Sequence, residues 1–453
     1  MLGVNKEVAE LAQQPTDERI RALKRIIPCS TLKSILRKHG PFSHCPRLPS
    51  WFMVWFVIGL GLFSTDCYRH IYRCLNRFRR KNTPGRSTLC EARHRLGVAP
   101  VRCLRNEVVQ LRATPQTPQC FYAGMRLMAL DGFVVDLPDT AANDRVFGRP
   151  RNGKAVGAFP QARVVALCEV GTHILWKAQI KPQRRAEITL ARGLLRHLTP
   201  AMLLLWDRGF LSYAHVAQVR SRQAHLLARV KTGLVFVPLK RLPDWSYLAK
   251  LYPSPAHRRQ DRDGIVVRII EYTIRDPHRP GSGERHRLLT TLLDWRLHPA
   301  KRLIELYHER WEEELAIDEF KTHQRQRPVL RSQTPAGVVQ EIEGLLLAHY
   351  VVRALMCEAA AQEKVAPRRL SFTAALKILR CRLPECPRSE RGRKRWYEEL
   401  LAEVGEEKLE DRRDRVNPRV IKRKISKWMK KRPEHRRNPQ PTKKIGNSTK
   451  MLR

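Results

Sequence analysis

Met202-Leu-Leu-Leu-Trp206-Asp207-Arg-Gly-Phe210 is the stretch that sets the architecture of this 453-residue chain. Five apolar residues follow one another without alternation. That is the pattern of a strand buried on both faces, as in a parallel sheet. Asp207 follows at the carboxyl end of the strand, and Gly209 lets the chain turn. Open α/β sheets carry their sites beyond the carboxyl ends of strands, so Asp207 is a candidate site residue. Residues 186–198 before the strand and 213–223 after it have helical spacing. The fold class is therefore α/β.

Upstream, residues 162–169 and 172–180 read as two strands joined tightly at Val170-Gly171. Before them runs Met125-Arg-Leu-Met-Ala-Leu-Asp131-Gly-Phe-Val-Val135. Three successive strands suggest an antiparallel meander. The resulting order is strand, strand, strand, helix, strand, helix, which is that of a ribonuclease-H-like core with an aspartate on its first and fourth strands. Asp131 is expected at a strand end. Taken alone it also fits a turn acid before glycine, and Asp136 and Asp139 lie close by. The basic loop Gly148-Arg-Pro-Arg-Asn-Gly-Lys154 could touch a phosphate backbone but lacks phosphate-loop spacing.

Downstream, residues 226–296 hold strand-like runs divided by Pro, Gly and charged loops, a β-rich insertion with added basic surface; Trp245 there is a candidate for base stacking, though a tryptophan in such a setting is more often core. Then comes Tyr307-His-Glu-Arg310-Trp-Glu-Glu-Glu314-Leu-Ala-Ile-Asp318-Glu-Phe-Lys321. Read as one helix, it sets Tyr307, Arg310, Glu314 and Lys321 at about 0°, −60°, −20° and −40°. One narrow face then carries an aromatic ring, two cations and a carboxylate. A surface helix of i,i+4 ion pairs would also account for much of this composition. The other reading is a site, in which a carboxylate holds a divalent metal and the cations hold phosphates. Asp318 falls on the same face, and spacing alone does not separate it from Glu314.

The chain carries 87 Lys and Arg against 43 Asp and Glu, a net charge of +44 spread along most of its length. That excess is the electrostatic footprint of a nucleic-acid binder. A 42% hydrophobic content argues for a folded body. Eleven scattered cysteines form no Cys-x-x-Cys pair, and no signal-peptide pattern opens the chain, so reduced thiols and a cytoplasmic, nucleoid-associated protein are expected. The apolar run Trp51–Phe63 is thirteen residues, short of the about 20 that span a bilayer, and reads as a buried helix. Residues 1–112 read as an all-α domain with a basic face, with Ser87 as the N-cap of one helix, and residues 113–120 as a linker. The core then occupies 121–225 and 297–383, with apolar helices at 341–358 and 370–381. Residues 384–453 form a basic tail whose last part, 417–453, has 14 Lys or Arg against one acid. Such tails are usually disordered in isolation.

The spacing Tyr-x2-Arg-x3-Glu-x6-Lys from Tyr307 to Lys321 resembles the signature of the insertion-sequence-four family of DDE transposases, and Asp-Arg-Gly-Phe from Asp207 resembles the family's second catalytic motif. The resemblance extends over most of the chain, N-terminal helices included. It implies Asp131, Asp207 and Glu314 as catalytic metal ligands for two Mg²⁺ or Mn²⁺ ions, Asp131 bridging both. It gives Tyr307, Arg310 and Lys321 the task of gripping DNA. It further implies cut-and-paste transposition with double-stranded DNA partners (terminal inverted repeats and target), a dimer in the DNA complex and no membrane. A nuclease of the same fold without strand transfer, or a decayed transposase that only binds DNA, would share these features.

Overall fold

The computed structural model describes residues 23–41, 48–76, 83–152, 155–231, 233–279, 281–387, 389–410 and 443–452. The chain forms two compact units: Met1–Leu194 with Glu312–Leu409, and Leu195–Trp311 with Glu410–Arg453. Both mix helices and sheet, and the chain is of mixed α/β class.

The first unit opens with helices α1 (Cys29–His39), α2 (Ser50–Leu62), α3 (Tyr68–Leu75), α4 (Arg86–Leu96) and α5 (Ala99–Val108). Pro28 precedes α1, and residues before 23, where this helical stretch was expected to begin, lie outside the described residues. Gly85 caps α4 without a side-chain bond, so Ser87 sits inside the first turn rather than at the cap. Strands β1 (Phe121–Tyr122) and β2 (Met125–Asp136) follow, then α6 (Ala141–Phe147), the small hairpin β3 (Arg151–Asn152) and β4 (Ala155–Val156), β5 (Gln161–Glu169), β6 (Ile174–Pro182) and α7 (Glu187–Leu195). β2, β5 and β6 are the expected antiparallel meander, with Asp131 opposite Ala166 and Phe133 opposite Val164. Asp131 lies inside β2 rather than at its end, because the strand continues through Gly132 to Asp136.

The second unit begins with β7 (Met202–Trp206), every residue of which is buried. After α8 (Tyr213–Ser221), β8 (His225–Arg229) pairs with β7 in parallel. The unit continues through β9 (Lys240–Arg241), β10 (Tyr247–Leu251), α9 (Pro255–Arg259), β11 (Ile265–Ile274), β12 (Arg285–Thr290) and α10 (Ala300–His308). β8, β12, β11, β10 and β9 pair in that order, all antiparallel. Trp245 is 49% exposed, on a backbone with φ of +65°.

The first unit resumes with α11 (Trp311–Asp318), a π-helical segment at Glu319–Gln324, α12 (Pro335–Gln362), α13 (Phe372–Arg382) and α14 (Glu390–Glu406). The stretch from Tyr307 to Lys321 is thus not one helix. α10 ends at His308, Glu309 and Arg310 form a turn, and the π-segment takes over at Glu319. A π-turn holds more residues than an α-turn, so Lys321 leaves the face that 100° steps assign to it.

α2 is buried along its whole length and packs with α12. Their crossing is close because of glycine: a Cβ on Gly344 would meet the Val57 carbonyl oxygen at 2.5 Å, and one on Gly61 the Ala348 Cβ at 2.7 Å. α12 is the one helix among the described residues apolar and long enough to cross a membrane, yet 83% of its most apolar window is buried inside the protein. A helix apolar all round is a core helix when its neighbours cover it. Residues from α1 through α5 share a single apolar cluster with α12, α13 and α14. Some of the positive charge of this region is internal too. Arg93 is 1% exposed and bonds the Gln340 side chain at 2.6 Å and the Tyr68 hydroxyl at 2.7 Å. Arg105 is buried against Glu343.

In the second unit the chain ends as α15 (Ile445–Ser448) and β13 (Thr449–Met451). β13 pairs antiparallel with residues 272–274 of β11, beyond the 265–269 segment that β10 covers. The basic tail therefore closes in a strand, while its residues 411–442 lie outside the described residues.

Candidate active site

Asp131 and Glu314 belong to the first unit, Asp207 to the second. Side chains alternate along β2, so Asp131, Phe133 and Val135 share a face. Phe133 and Val135 are buried there with Ala166, the cross-strand partner of Asp131. The same apolar cluster contains Ala316 and Ile317 of α11 and Phe320 of the π-segment. The helix that carries Glu314 thus packs onto the sheet face that carries Asp131. The Asp131 carboxylate accepts the Gly132 amide at 2.7 Å. Asp131, Glu314 and Lys321 are all half-buried. Asp318, by contrast, has a 52% exposed side chain that accepts from the Thr322 hydroxyl at 2.6 Å and lies 3.3 Å from His323.

α11 and its π-segment are fixed by a buried ionic network that sequence reading missed. His173 faces Glu312 through Nε2 and Glu319 through Nδ1, each at 2.9 Å. Arg353 of α12 pairs with Glu319, its Nε at 2.8 Å, and His349 lies 3.3 Å away. Arg368 reaches Glu312 at 3.5 Å. Burial disfavours the charged form of Glu319, but Arg353, His173 and His349 outweigh it and hold its carboxyl well below the usual range. Glu312 is held low in the same way, its burial outweighed by the hydrogen bond from His173. His349 is pushed below its ordinary value by burial, against the pull of Glu319. His173 sits on a backbone with φ of +57°, a left-handed conformation uncommon for a non-glycine residue. Nothing in the sequence linked it to residues about 140 to 180 positions away.

In the second unit, Asp207 follows the last residue of β7, whose Trp206 is fully buried and stacks on Phe210 at 5.7 Å. Tyr307 is 7% exposed, and its hydroxyl donates to the Trp206 carbonyl at 3.2 Å. Its phenol is pushed up to about 12, mainly by burial, with Asp207 adding to the shift and Arg310 opposing it. Tyr307, Arg310 and Asp207 therefore form one electrostatic group, with the tyrosine ring inside the unit and Arg310 half-buried.

Among the described residues, no three His, Cys, Asp or Glu side chains are gathered as a ready metal cluster. The carboxylates themselves have the right chemistry: hard oxygen donors suited to hard divalent cations. Each is half-buried rather than sealed in the core.

Residues 122–351 match the transposase DDE domain family, and residues 17–105 match the N-terminal family of insertion element 4 transposases. The transposase InsG for insertion sequence element IS4, from Escherichia coli, is 30% identical over 394 residues, covering 84% of this chain and 87% of its own length. A putative transposase of the same organism, InsZ, is 30% identical over 167 residues, covering 37% of this chain and 56% of its own length. Among solved structures, a piggyBac transposase synaptic complex with hairpin DNA covers 85% of this chain and 86% of its own, with a TM-score of 0.43 and 10% identity. With a transposase DDE domain match over residues 122–351 and with 30% identity sustained along 84% of its length, the chain belongs to the insertion element 4 family of DDE transposases.

Proposed function

We propose that this transposase cuts DNA at the ends of its insertion element and joins the freed ends to target DNA, a cut-and-paste reaction in which Asp131, Asp207 and Glu314 are the catalytic carboxylates. The observation that carries the reading is the packing of α11 onto the face of β2 that bears Asp131, through Ala316, Ile317 and Phe320. The order β2, β5, β6, α7, β7, α8 supports a ribonuclease-H-like core, with one carboxylate within its first strand and one directly after its fourth. The family uses divalent metal ions. Oxygen donors favour Mg²⁺ or Mn²⁺; Asp131, Asp207 and Glu314 would hold two such ions, which would supply activation of an attacking oxygen and charge compensation at the leaving one.

The protein's own groups then bind and orient. Arg310 suits bidentate contact with a phosphate near the cut, and Lys321 supplies a second cation. Tyr307, being buried, acts by holding the Trp206 carbonyl and with it the backbone that presents Asp207. The partners are double-stranded terminal inverted repeats and target DNA, with a dimer pairing two ends and the reaction taking place on the nucleoid in the cytoplasm. The helices of residues 29–108 and the basic residues of 417–453 add affinity for the duplex, and residues 226–296 act as an insertion within the core.

The test is cleavage of labelled duplexes carrying the element's own ends, with Mg²⁺ and with EDTA, for wild type, Asp131→Asn, Asp207→Asn and Glu314→Gln. Metal-dependent cuts at the ends and joined products are expected from wild type, and binding without cutting from each variant. Nicks without joined products would point to a nuclease. Full cutting by any one variant removes that residue from the set.

A further inference from the structure

We propose that an arginine-lined cleft in the first unit is a second DNA contact, one that holds backbone phosphates away from the carboxylates. The proposal rests on the transposase reading for the identity of its ligand. The cleft has a volume of about 800 Å³ and lies between α6, the β3–β4 hairpin, β5 and the turn after β6. Among the described residues, Arg145, Arg149, Arg151, Arg163, Arg184 and Arg185 line it, with Asp144 as the one lining carboxylate and no lysine.

These arginines are of two kinds. Arg149 and Arg163 form an anchored floor, their side chains 19% and 17% exposed. Arg149 pairs with Asp144 at 3.1 Å and with Asp139, and donates to the Ala158 carbonyl at 2.6 Å. Arg163 pairs with Glu187 at 2.6 Å. Arg145, Arg151, Arg184 and Arg185 are exposed. Four guanidinium groups brought together repel one another unless an anion lies among them. Arginine rather than lysine is the side chain whose planar fork matches a phosphate in two hydrogen bonds. Val156, 56% exposed, adds methyl groups to the same wall, suited to sugar rather than to a small free anion.

The cleft is separate from Asp131 yet coupled to its strand. Arg163 and Gly132 lie on the β2–β5 face opposite that of Asp131, since neighbours alternate. A Cβ on Gly132 would meet the Glu187 carboxyl carbon at 2.8 Å, so the Arg163–Glu187 pair packs directly on β2 one residue from Asp131. A duplex strand seated in the cleft is positioned with respect to β2 without touching the reacting atoms.

The test uses the full chain and a labelled duplex of the element's end, with a scrambled duplex of equal length, titrated over a series of salt concentrations. Arg145→Ala/Arg184→Ala/Arg185→Ala is expected to flatten the slope of log affinity against log salt by about 3, about one per lost phosphate contact, equally on both duplexes. The control Arg391→Ala/Lys394→Ala/Arg395→Ala removes the same charge from α14, whose three side chains are exposed, and is expected to change it by less than about 1. Arg145→Lys/Arg184→Lys/Arg185→Lys keeps the charge and is expected to stay near the wild-type slope. Inorganic phosphate at matched ionic strength is expected to displace no more duplex than chloride does; selective displacement would make the cleft a small-anion site and overturn the proposal. Equal slopes for the cleft triple and the control overturn it, as does an unchanged slope with a changed oligomeric state, which would give the cleft to a second copy. Glu314→Gln is run alongside. If it still cuts, the carboxylate reading fails while the slope still decides the cleft; if wild type binds neither duplex, both fail.

Discussion

The rings of Phe133 and Phe320 meet at 5.2 Å between centroids, with planes inclined by 53°. One lies two residues past Asp131 on the same face of β2, the other six residues past Glu314, so this contact ties the two carboxylate-bearing elements of the first unit together. Both rings are buried, Phe320 completely. Phe320→Ala is expected to cost about 3–5 kcal/mol of stability. In a double-mutant cycle the pair should couple by about 0.5–1.5 kcal/mol. Urea unfolding measures both, and strictly additive losses would show that the rings do not support each other.

Glu314 and Asp318 were inseparable by spacing, and their surroundings separate them. Asp318 is exposed and occupied by Thr322, whereas Glu314 is half-buried. Asp318→Asn is expected to cut within about threefold of wild type, a surface change of small consequence, while Glu314→Gln loses cutting. The reverse pattern would move the catalytic role to Asp318.

Tyr307→Phe deletes the hydrogen bond to the Trp206 carbonyl. The expected loss of stability is about 1 kcal/mol, the net worth of a neutral bond. Cutting should fall while duplex affinity holds, because the change acts on Asp207 placement. A fall in affinity with unchanged cutting of bound duplex would return Tyr307 to a direct DNA contact. Arg310→Ala is expected to weaken engagement of the cleaved end without unfolding the chain.

Glu319→Gln leaves Arg353 buried without its charge partner. Breaking such a pair from one side costs about 3–5 kcal/mol. The double variant Glu319→Gln/Arg353→Met is expected to lose less than the sum of the single variants, read by thermal or urea unfolding. A single-variant loss under 1 kcal/mol would mean that the network does not anchor the π-segment.

Acid should weaken the fold in two steps. His349 and His308 are both lowered by burial, His308 to about 4, so their stabilising contribution is complete above the unfolded histidine value of about 6.5 and falls away below it. Glu312 and Glu319 are also lowered in the fold. Their contribution is complete above the unfolded carboxyl value of about 4.3 and is lost as pH drops through the folded value. Unfolding free energy is expected to be flat between about pH 7 and 8, to decline below 6.5 and to steepen below 4.3. A flat profile down to pH 4 would contradict the buried-neutral histidines.

The sequence by itself determined β2, β5, β6, α7, β7 and α8, because a continuous apolar run, helical spacing and glycine turns are local signals, but it did not show α6 or the β3–β4 hairpin. It also determined which carboxylates and cations to consider, since they recur at fixed spacing. Only the tertiary structure decided how they are held. The π-segment at Glu319 is held by His173, Arg353 and the Phe133 ring, all three remote in sequence. The sharing of one apolar core by α1–α5 and α12–α14 is likewise a long-range outcome, since each helix shows only that it has an apolar side and not which partner covers it. The same holds for Thr449–Met451. Its three residues carry no strand pattern, and they pair because the folded β11 leaves main-chain groups open at residues 272–274.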